Sequence, residues 1–146
     1  MSYPIQSFQR DQFEITTDPA RLDGSAIHEF LSQRAYWAID RPLETVQRSL
    51  DNSLCFGLYH GTAQIGLARV ITDYATYGYL CDVYVLEDYR GCGLGVWLIE
   101  CLLQHPGLED LRKFSLATRD AQELYRRFGF TEVTDPHRYM NLRSRP

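Results

Sequence analysis

The stretch VYVLEDYRGCGLGVWLIECLL, from Val83 to Leu103, joins a β-branched strand to an apolar helix through a glycine-rich turn. The N-terminus of a helix offers unpaired backbone N–H groups and the positive end of a dipole, so it binds anions. Glycine at positions 91, 93 and 95 leaves no Cβ atom between this backbone and a phosphate group. The stretch therefore predicts a site for a phosphate-bearing ligand where the helix begins.

Two common phosphate motifs do not fit this turn. The dinucleotide fingerprint G-x-G-x-x-G would need glycine at Val96 or Leu98, and it normally follows the first strand of a chain. The P-loop needs a Lys followed by Ser or Thr, which the turn lacks. Both the dinucleotide site and the P-loop are therefore excluded.

Apolar periodicity along the chain predicts an α/β protein with a mixed central β-sheet. Before the quoted stretch it predicts a strand at 13–17, helices beginning near residues 18 and 40, and strands at 54–59, 63–72 and 79–86. The pattern then gives a helix at 93–105, a strand at 113–117, a helix at 120–128, and terminal strands at 130–133 and 139–142. The three strands from residue 54 read as an antiparallel meander, and the later ones as strand–helix–strand crossovers.

Composition narrows the class of protein. The chain has 146 residues without an internal repeat or linker, so we expect one domain over residues 1–146. A net charge of -4 and a pI near 5.5 provide no basic surface for nucleic acid. The N-terminus lacks a secretory pattern, and no stretch reaches the roughly 20 apolar residues of a membrane span. The cysteines and histidines match no zinc pattern, so we expect a cytoplasmic protein with no metal.

The turn does match R-x-x-G-x-G, with Arg90, Gly93 and Gly95 in place. This pattern resembles the acetyl-CoA signature of the GNAT superfamily of N-acetyltransferases. The segment AQELYRRFGF, from Ala121 to Phe130, is similar to the family's next helix and following strand. The resemblance implies the GNAT fold, a mixed sheet with an antiparallel meander flanked by helices. It also implies transfer of an acetyl group from acetyl-CoA, as co-substrate, to a primary amine of a small molecule or peptide.

The same resemblance implies where acetyl-CoA binds. The fourth and fifth strands of the family diverge, and main-chain groups of the fourth pair with pantetheine amides; the matching positions are Val83, Tyr84 and Val85. Backbone N–H groups of the turn hold the pyrophosphate, and that turn comprises Arg90, Gly91, Cys92, Gly93, Leu94, Gly95 and Val96. Asp120 is expected near the pantetheine or the helix start, and a simple N-cap is the alternative.

Two residues are candidates for catalysis. Tyr125 matches the family's tyrosine that points at the thioester sulfur, where a phenol can hydrogen-bond or protonate the leaving thiolate. The alternative is ordinary packing, since Tyr125 shares a helical stripe with Leu124 and Phe128. Asp82 is the acidic residue on an apolar strand and a candidate general base. It could instead form a structural ion pair with Arg69, and a one-residue shift of register decides whether Arg69 lies beside Cys81 or Asp82.

The resemblance also implies that acceptor specificity comes largely from the first two helices and the loop between them. Tyr36 and Trp37 could wall a pocket for an apolar amine, Arg34 or Arg41 could hold a carboxylate, and Arg69 and Tyr79 are further candidates. Ordinary packing of the connecting segment is the alternative. Three alternatives stay open at this point. The chain could be a binding module that senses acyl-CoA without transferring the acyl group, or it could use another donor such as succinyl-CoA. It could also assemble as a homodimer.

Overall fold

Six strands pair in the order in which they occur along the chain, in the computed structural model, which describes residues 3–143. The strands are β1 (Ser7–Arg10), β2 (Phe13–Thr16), β3 (Leu54–His60), β4 (Ala63–Thr72), β5 (Tyr77–Val85) and β6 (Lys113–Leu116). All neighbours are antiparallel except β5 and β6, which run parallel. The helices are α1 (Gly24–Arg34), α2 (Leu43–Asp51), α3 (Leu94–Leu103) and α4 (Gln122–Arg126). This mixed α/β sheet with a central meander is the fold that the sequence predicts.

Helices α1 and α2 cover one face of the sheet. Asp23 caps α1, because its side chain accepts a hydrogen bond of 3.0 Å from the Ala26 N–H. The first turn of α2 follows Pro42, whose fixed φ suits a helix start. The ring of Phe30 on α1 stacks on Tyr84 of β5, with centroids 3.9 Å apart. Tyr84 therefore points away from the face that α3 covers and anchors α1 to the sheet.

Helix α3 packs on the opposite face and is the most buried helix of the fold. Its buried side chains are those of Leu94, Trp97, Leu98, Ile99, Cys101 and Leu102. They form a core with Ile15, Phe56 and Leu58 from the strands beneath. Full burial of one such aliphatic side chain contributes about 1.5–3 kcal/mol. This packing fixes where α3 begins, and with it the position of the glycine turn.

The structure differs from the predictions in three places. Strand β1 was not predicted, because its residues other than Phe8 are polar and exposed. Helix α4 begins after Ala121, whose N–H donates a hydrogen bond to the hydroxyl of Thr118, so the alternative of an N-cap at Asp120 is wrong. The strands predicted at 130–133 and 139–142 are absent from the described part of the chain. Phe130 packs against Phe114 and Tyr125. The other apolar side chains of these segments are more than half exposed, so no sheet face buries them: Val133, Tyr139, Met140 and Leu142.

Within residues 3–143, no helix is long and apolar enough to cross a membrane.

Candidate active site

Strands β5 and β6 pair over only part of their length. Their register runs from Tyr77 opposite Lys113 to Leu80 opposite Leu116 and then stops. Strand β5 continues to Val85 while β6 has ended, so the sheet opens along 81–85. A cavity of about 480 Å³ occupies this opening. The divergence lies at the strand pair, the fourth and fifth in the predicted order, where the resemblance implied it.

A bulge in β5 lies at the start of this opening. Opposite β4, the register passes from Leu67–Tyr84 to Arg69–Cys81, which leaves one extra residue on β5. Asp82 sits in this bulge with φ 51°, a left-handed conformation that is uncommon for residues other than glycine. Such strain persists only where surrounding contacts hold it. For Asp82 those contacts are unusually numerous.

The carboxylate of Asp82 is buried among three hydrogen-bond donors. Arg69 Nε donates to Oδ2 at 2.9 Å, and Arg41 Nη1 donates to Oδ2 at 3.0 Å and to Oδ1 at 3.2 Å. Trp37 Nε1 donates to Oδ1 at 2.7 Å. In the ladder between β4 and β5, Arg69 lies opposite Cys81. Its side chain nevertheless pairs with Asp82. With both oxygens occupied, these contacts favour the structural ion pair over a free general base.

The glycine turn leaves open space outside its backbone. Gly91 and Gly93 have φ of 84° and 81°, and Gly93 is the N-cap of α3 without a side-chain hydrogen bond. A Cβ atom added at Gly91, Gly93 or Gly95 would meet no other atom within 4 Å. Arg90 Nε donates to the Val85 carbonyl at 2.8 Å, which ties the turn to the end of β5. The start of α3 is thus directly continuous with the open edge of β5.

Tyr125 lies on α4 with 7% of its surface exposed, and it lines the cavity. Its ring packs edge-on against Phe130, with centroids 5.9 Å apart. Burial raises the pKa of Tyr125 to about 12, so the phenol keeps its proton at neutral pH. Packing and a role in the cavity are therefore compatible for this residue.

The cavity brings together several of the residues that the sequence singled out beside Tyr125, but no residue of the turn at 90–96 lines it. Its walls include Tyr36, Trp37, Tyr79, Asp82, Val83 and Asp120. Arg69 stands behind Asp82, and Tyr84 points to the other face of the sheet. A larger open groove of about 900 Å³ runs between α2 and the start of α1, with none of the predicted site residues in its walls.

The segment between α1 and α2 reaches across the opening in the sheet. Tyr36 Oη accepts a hydrogen bond of 3.1 Å from the Arg119 N–H, and the Arg119 guanidinium lies 3.7 Å from the centre of the Tyr36 ring. Neighbouring Trp37 bonds to Asp82 on the other side. The aromatic pair therefore bridges β5 and the β6–α4 loop. Arg119 was not predicted as a site residue, and no sequence motif marks it.

Arg34 and Arg41, the two arginines considered for an acceptor carboxylate, have different surroundings. Arg34 Nη1 pairs with Glu87 at 2.6 Å, and both side chains are largely exposed. Arg41 joins the buried carboxylate beside the cavity. No cluster of three His, Cys, Asp or Glu residues that could hold a metal occurs in the described residues 3–143.

Comparisons with known proteins identify the family and agree with the fold. The profile of the acetyltransferase (GNAT) domain matches residues 51–132. A Gibberella zeae protein named as an acetyltransferase is 36% identical over 140 residues, which cover 82% of this chain and 79% of that protein. A crystal structure of a Xanthomonas campestris protein described as GNAT family is 47% identical, with a TM-score of 0.88 over 90% of this chain and 93% of that one. A Streptococcus pneumoniae GNAT-family protein, 20% identical with a TM-score of 0.65 over 98% of this chain and 97% of that one, shares the fold alone.

Proposed function

The chain belongs to the GNAT family of acetyltransferases and is an acyltransferase of that type, and from this premise we propose that it transfers the acetyl group of acetyl-CoA directly to a primary amine. The family uses acetyl-CoA as co-substrate. We also propose a single catalytic domain, because all described strands share one sheet.

One observation supports this proposal: Tyr125 lines the cavity beside the open edge of β5, and the glycine turn follows the end of that strand, to which Arg90 ties it. The main chain of Val83–Val85 lies beyond the last pairing with β6, where pantetheine amides would find backbone partners. The turn from Arg90 to Val96 follows, with open space for the pyrophosphate over its glycines. Asp120 lines the same cavity at the β6–α4 loop and would lie near the pantetheine arm.

In the proposed reaction, the amine nitrogen attacks the thioester carbonyl, a C–N bond forms and the C–S bond breaks. The amine proton is released and the thiolate of coenzyme A is the leaving group. Tyr125 would sit beside the sulfur. A phenol whose pKa is about 12 is a weaker acid than an ordinary thiol, for which the pKa is about 8.5. Tyr125 is therefore better suited to stabilise the developing thiolate by a hydrogen bond than to give up its proton completely.

Acceptor binding is assigned to the opposite wall of the cavity. Tyr36, Trp37 and Tyr79 supply its aromatic surface, and Arg69 holds Asp82 in place behind it. Asp82 remains our candidate for a direct catalytic role, but its hydrogen bonds support a role in shaping the wall. Deprotonation of the amine would then occur in solution or through water.

A glycine inside α3 provides a test that separates binding from folding. Gly95→Leu adds a side chain where the protein has open space, and leucine favours a helix over glycine by about 1 kcal/mol. We expect the variant to be at least as stable as the parent and to lose acetyl-CoA affinity, measured by calorimetry, by about 100-fold or more, because the side chain would fill the pyrophosphate position. Glu100→Leu, on the exposed part of the same helix, is the control.

Undiminished acetyl-CoA affinity in Gly95→Leu would rule out the turn as the pyrophosphate site. The parent protein should also release coenzyme A from acetyl-CoA in the presence of a suitable amine. Binding without transfer across a broad amine panel would favour the acyl-CoA sensor. If transfer from succinyl-CoA is faster than transfer from acetyl-CoA, the proposed donor would change to succinyl-CoA, and the proposed binding site would stay the same.

A further inference from the structure

The carboxylate beside the cavity is outnumbered by the guanidinium groups around it. Asp82, Arg41 and Arg69 form what we call the Asp82 cluster, with 2%, 22% and 10% of their side chains exposed. One negative and two positive charges leave this partly buried cluster with a net charge of one positive unit. Charge held away from water is costly unless it is compensated. The cluster therefore favours an anionic group nearby.

The field of this cluster reaches the cavity wall. Cys81 lines the cavity, and burial raises its pKa to about 11. Arg69 and Arg41 act to lower that pKa, whereas Asp82 acts to raise it. Arg41 and Arg69 do not line the cavity themselves, but both bond to Asp82, which does. Arg119 at the rim is paired with Asp120, so these two residues add no net charge.

The cavity wall provides little negative charge for a second ammonium group on the acceptor. Its carboxylates, among the described residues, are those of Asp82 and Asp120. Asp82 already accepts hydrogen bonds from Arg41, Arg69 and Trp37. Asp120 is exposed and lies 3.7 Å from the Arg119 guanidinium. Polyamines and lysine-rich peptides would therefore meet repulsion without a compensating carboxylate.

The remaining wall is aromatic. Tyr36 and Trp37 meet edge to face with centroids 5.1 Å apart, and Tyr79 and Tyr125 line the same space. Flat aromatic surface favours an apolar or aromatic ligand body. On the basis of the proposed function, we infer that the acceptor is a small amine bearing a carboxylate on an apolar or aromatic body, an amino-acid-like amine, with the carboxylate held on the Arg41 side. The products would be the N-acetyl amino acid and coenzyme A, with the amine proton released.

Matched amines test this inference. The kcat/KM for acetyl transfer should be about tenfold or more higher for phenylalanine than for phenethylamine, and for leucine than for isoamylamine, because only the amino acids offer the charged hydrogen-bond acceptor. Spermidine and a lysine-rich peptide should be the poorest substrates. Arg41→Gln should remove the preference by raising KM for the amino acids, and Arg41→Lys should restore part of it. Arg48→Gln on α2, where Arg48 is exposed and paired with Glu44, is the charge-matched control.

The possible outcomes are distinct. Transfer that is equally fast with phenethylamine or spermidine overturns the inference and leaves the proposed function intact. An unchanged preference of Arg41→Gln for amino acids over the matched amines also overturns the inference and leaves the proposed function intact, provided that circular dichroism and a melting curve show that the variant is folded. Intact acetyl-CoA binding with no transfer to any amine overturns the proposed transferase function, and with it this inference.

Discussion

The indole Nε1–H of Trp37 donates a hydrogen bond of 2.7 Å to Oδ1 of Asp82. This contact joins the segment between α1 and α2 to the bulge of β5, across 45 positions of sequence. It holds an aromatic ring at the cavity wall and satisfies a carboxylate that is 4% exposed. The acceptor wall and the bulge that opens the sheet are therefore stabilised together.

Trp37→Phe retains an aromatic ring and removes the donor. We expect the free energy of unfolding to fall by about 1.5–3 kcal/mol, the usual contribution of a hydrogen bond to a charged group. Urea denaturation measures this change. Tyr36→Phe is the comparison, since it loses a bond from the neutral Arg119 N–H and should cost about 1 kcal/mol or less. Equal losses of unfolding free energy in the two variants would show that the hydrogen bond from the indole to the charged carboxylate stabilises the fold no more than the neutral one does.

Asp82→Asn tests the two roles considered for this residue. Arg41 and Arg69 would then face a neutral amide, and breaking a buried ion pair on one side costs about 3–5 kcal/mol. The urea midpoint should fall accordingly, while Asp120→Asn at the exposed rim should change it little. A variant with parental stability and a large loss of kcat would instead identify Asp82 as the general base.

Tyr125→Phe removes the phenol and keeps the ring that packs on Phe130. Because a positioned acid or hydrogen-bond donor accelerates such steps about 10²–10⁴-fold, kcat should fall by at least the lower figure. Affinity for acetyl-CoA, measured by calorimetry, should not change. Tyr77→Phe on the exposed start of β5 is the control. Unchanged turnover would remove Tyr125 from the mechanism.

The central fold could be predicted because its signals are local. Strands β3 and β4 are largely apolar segments joined by a turn at Gly61, whose φ is 62°, and α3 is apolar after its glycines except for Glu100. Strand β1 has no such signal, because it is held mainly by pairing with β2. The apolar residues after Phe130 suggested strands at 130–133 and 139–142 that the described chain does not form. Such residues form a strand only where a sheet face is there to bury them.

The site was predictable in part. Asp82 could be predicted as a site residue because it is a carboxylate on an apolar strand. Tyr125 could be predicted because it matches a tyrosine in the motif of the family. The bulge could not be predicted, because one residue of register changes which side chains meet and leaves no local mark. The contacts of Asp82 with Trp37 and Arg41 also join distant parts of the chain. Periodicity carries no information about such pairs.

Stability should fall in alkaline solution. Burial raises the pKa of Cys55 to about 12 and that of Cys101 to about 11, and it also raises the pKa of Tyr84. The unfolded chain loses these protons first, so it binds fewer protons than the folded chain and the free energy of unfolding decreases as pH rises. The decline should begin near pH 9 and continue through the folded values, at about 1.4 kcal/mol per pH unit for each such group. Urea midpoints between pH 7 and 11 measure the slope.

Cysteine variants check the cause of that slope. Cys55→Ala should give a shallower decline than the parent, because one buried thiol no longer titrates. Cys92→Ser, at an exposed position of the turn, should leave the slope unchanged. A slope that is identical in all three proteins would contradict the assignment to Cys55.

Gly93 and Gly129 form a matched pair for testing the glycine turn. Their φ angles are 81° and 95°, and a Cβ atom at either position would meet no neighbour within 4 Å. Valine at either site should therefore destabilise the fold to a similar extent, by about 1–3 kcal/mol, through the left-handed backbone alone. Only Gly93→Val should lose acetyl-CoA binding in calorimetry at a temperature where both variants are folded, because Gly93 alone of the two caps the helix that would hold the pyrophosphate. Equal acetyl-CoA affinity in the two variants would mean that Gly93 is needed for the backbone conformation of the turn and not for binding acetyl-CoA.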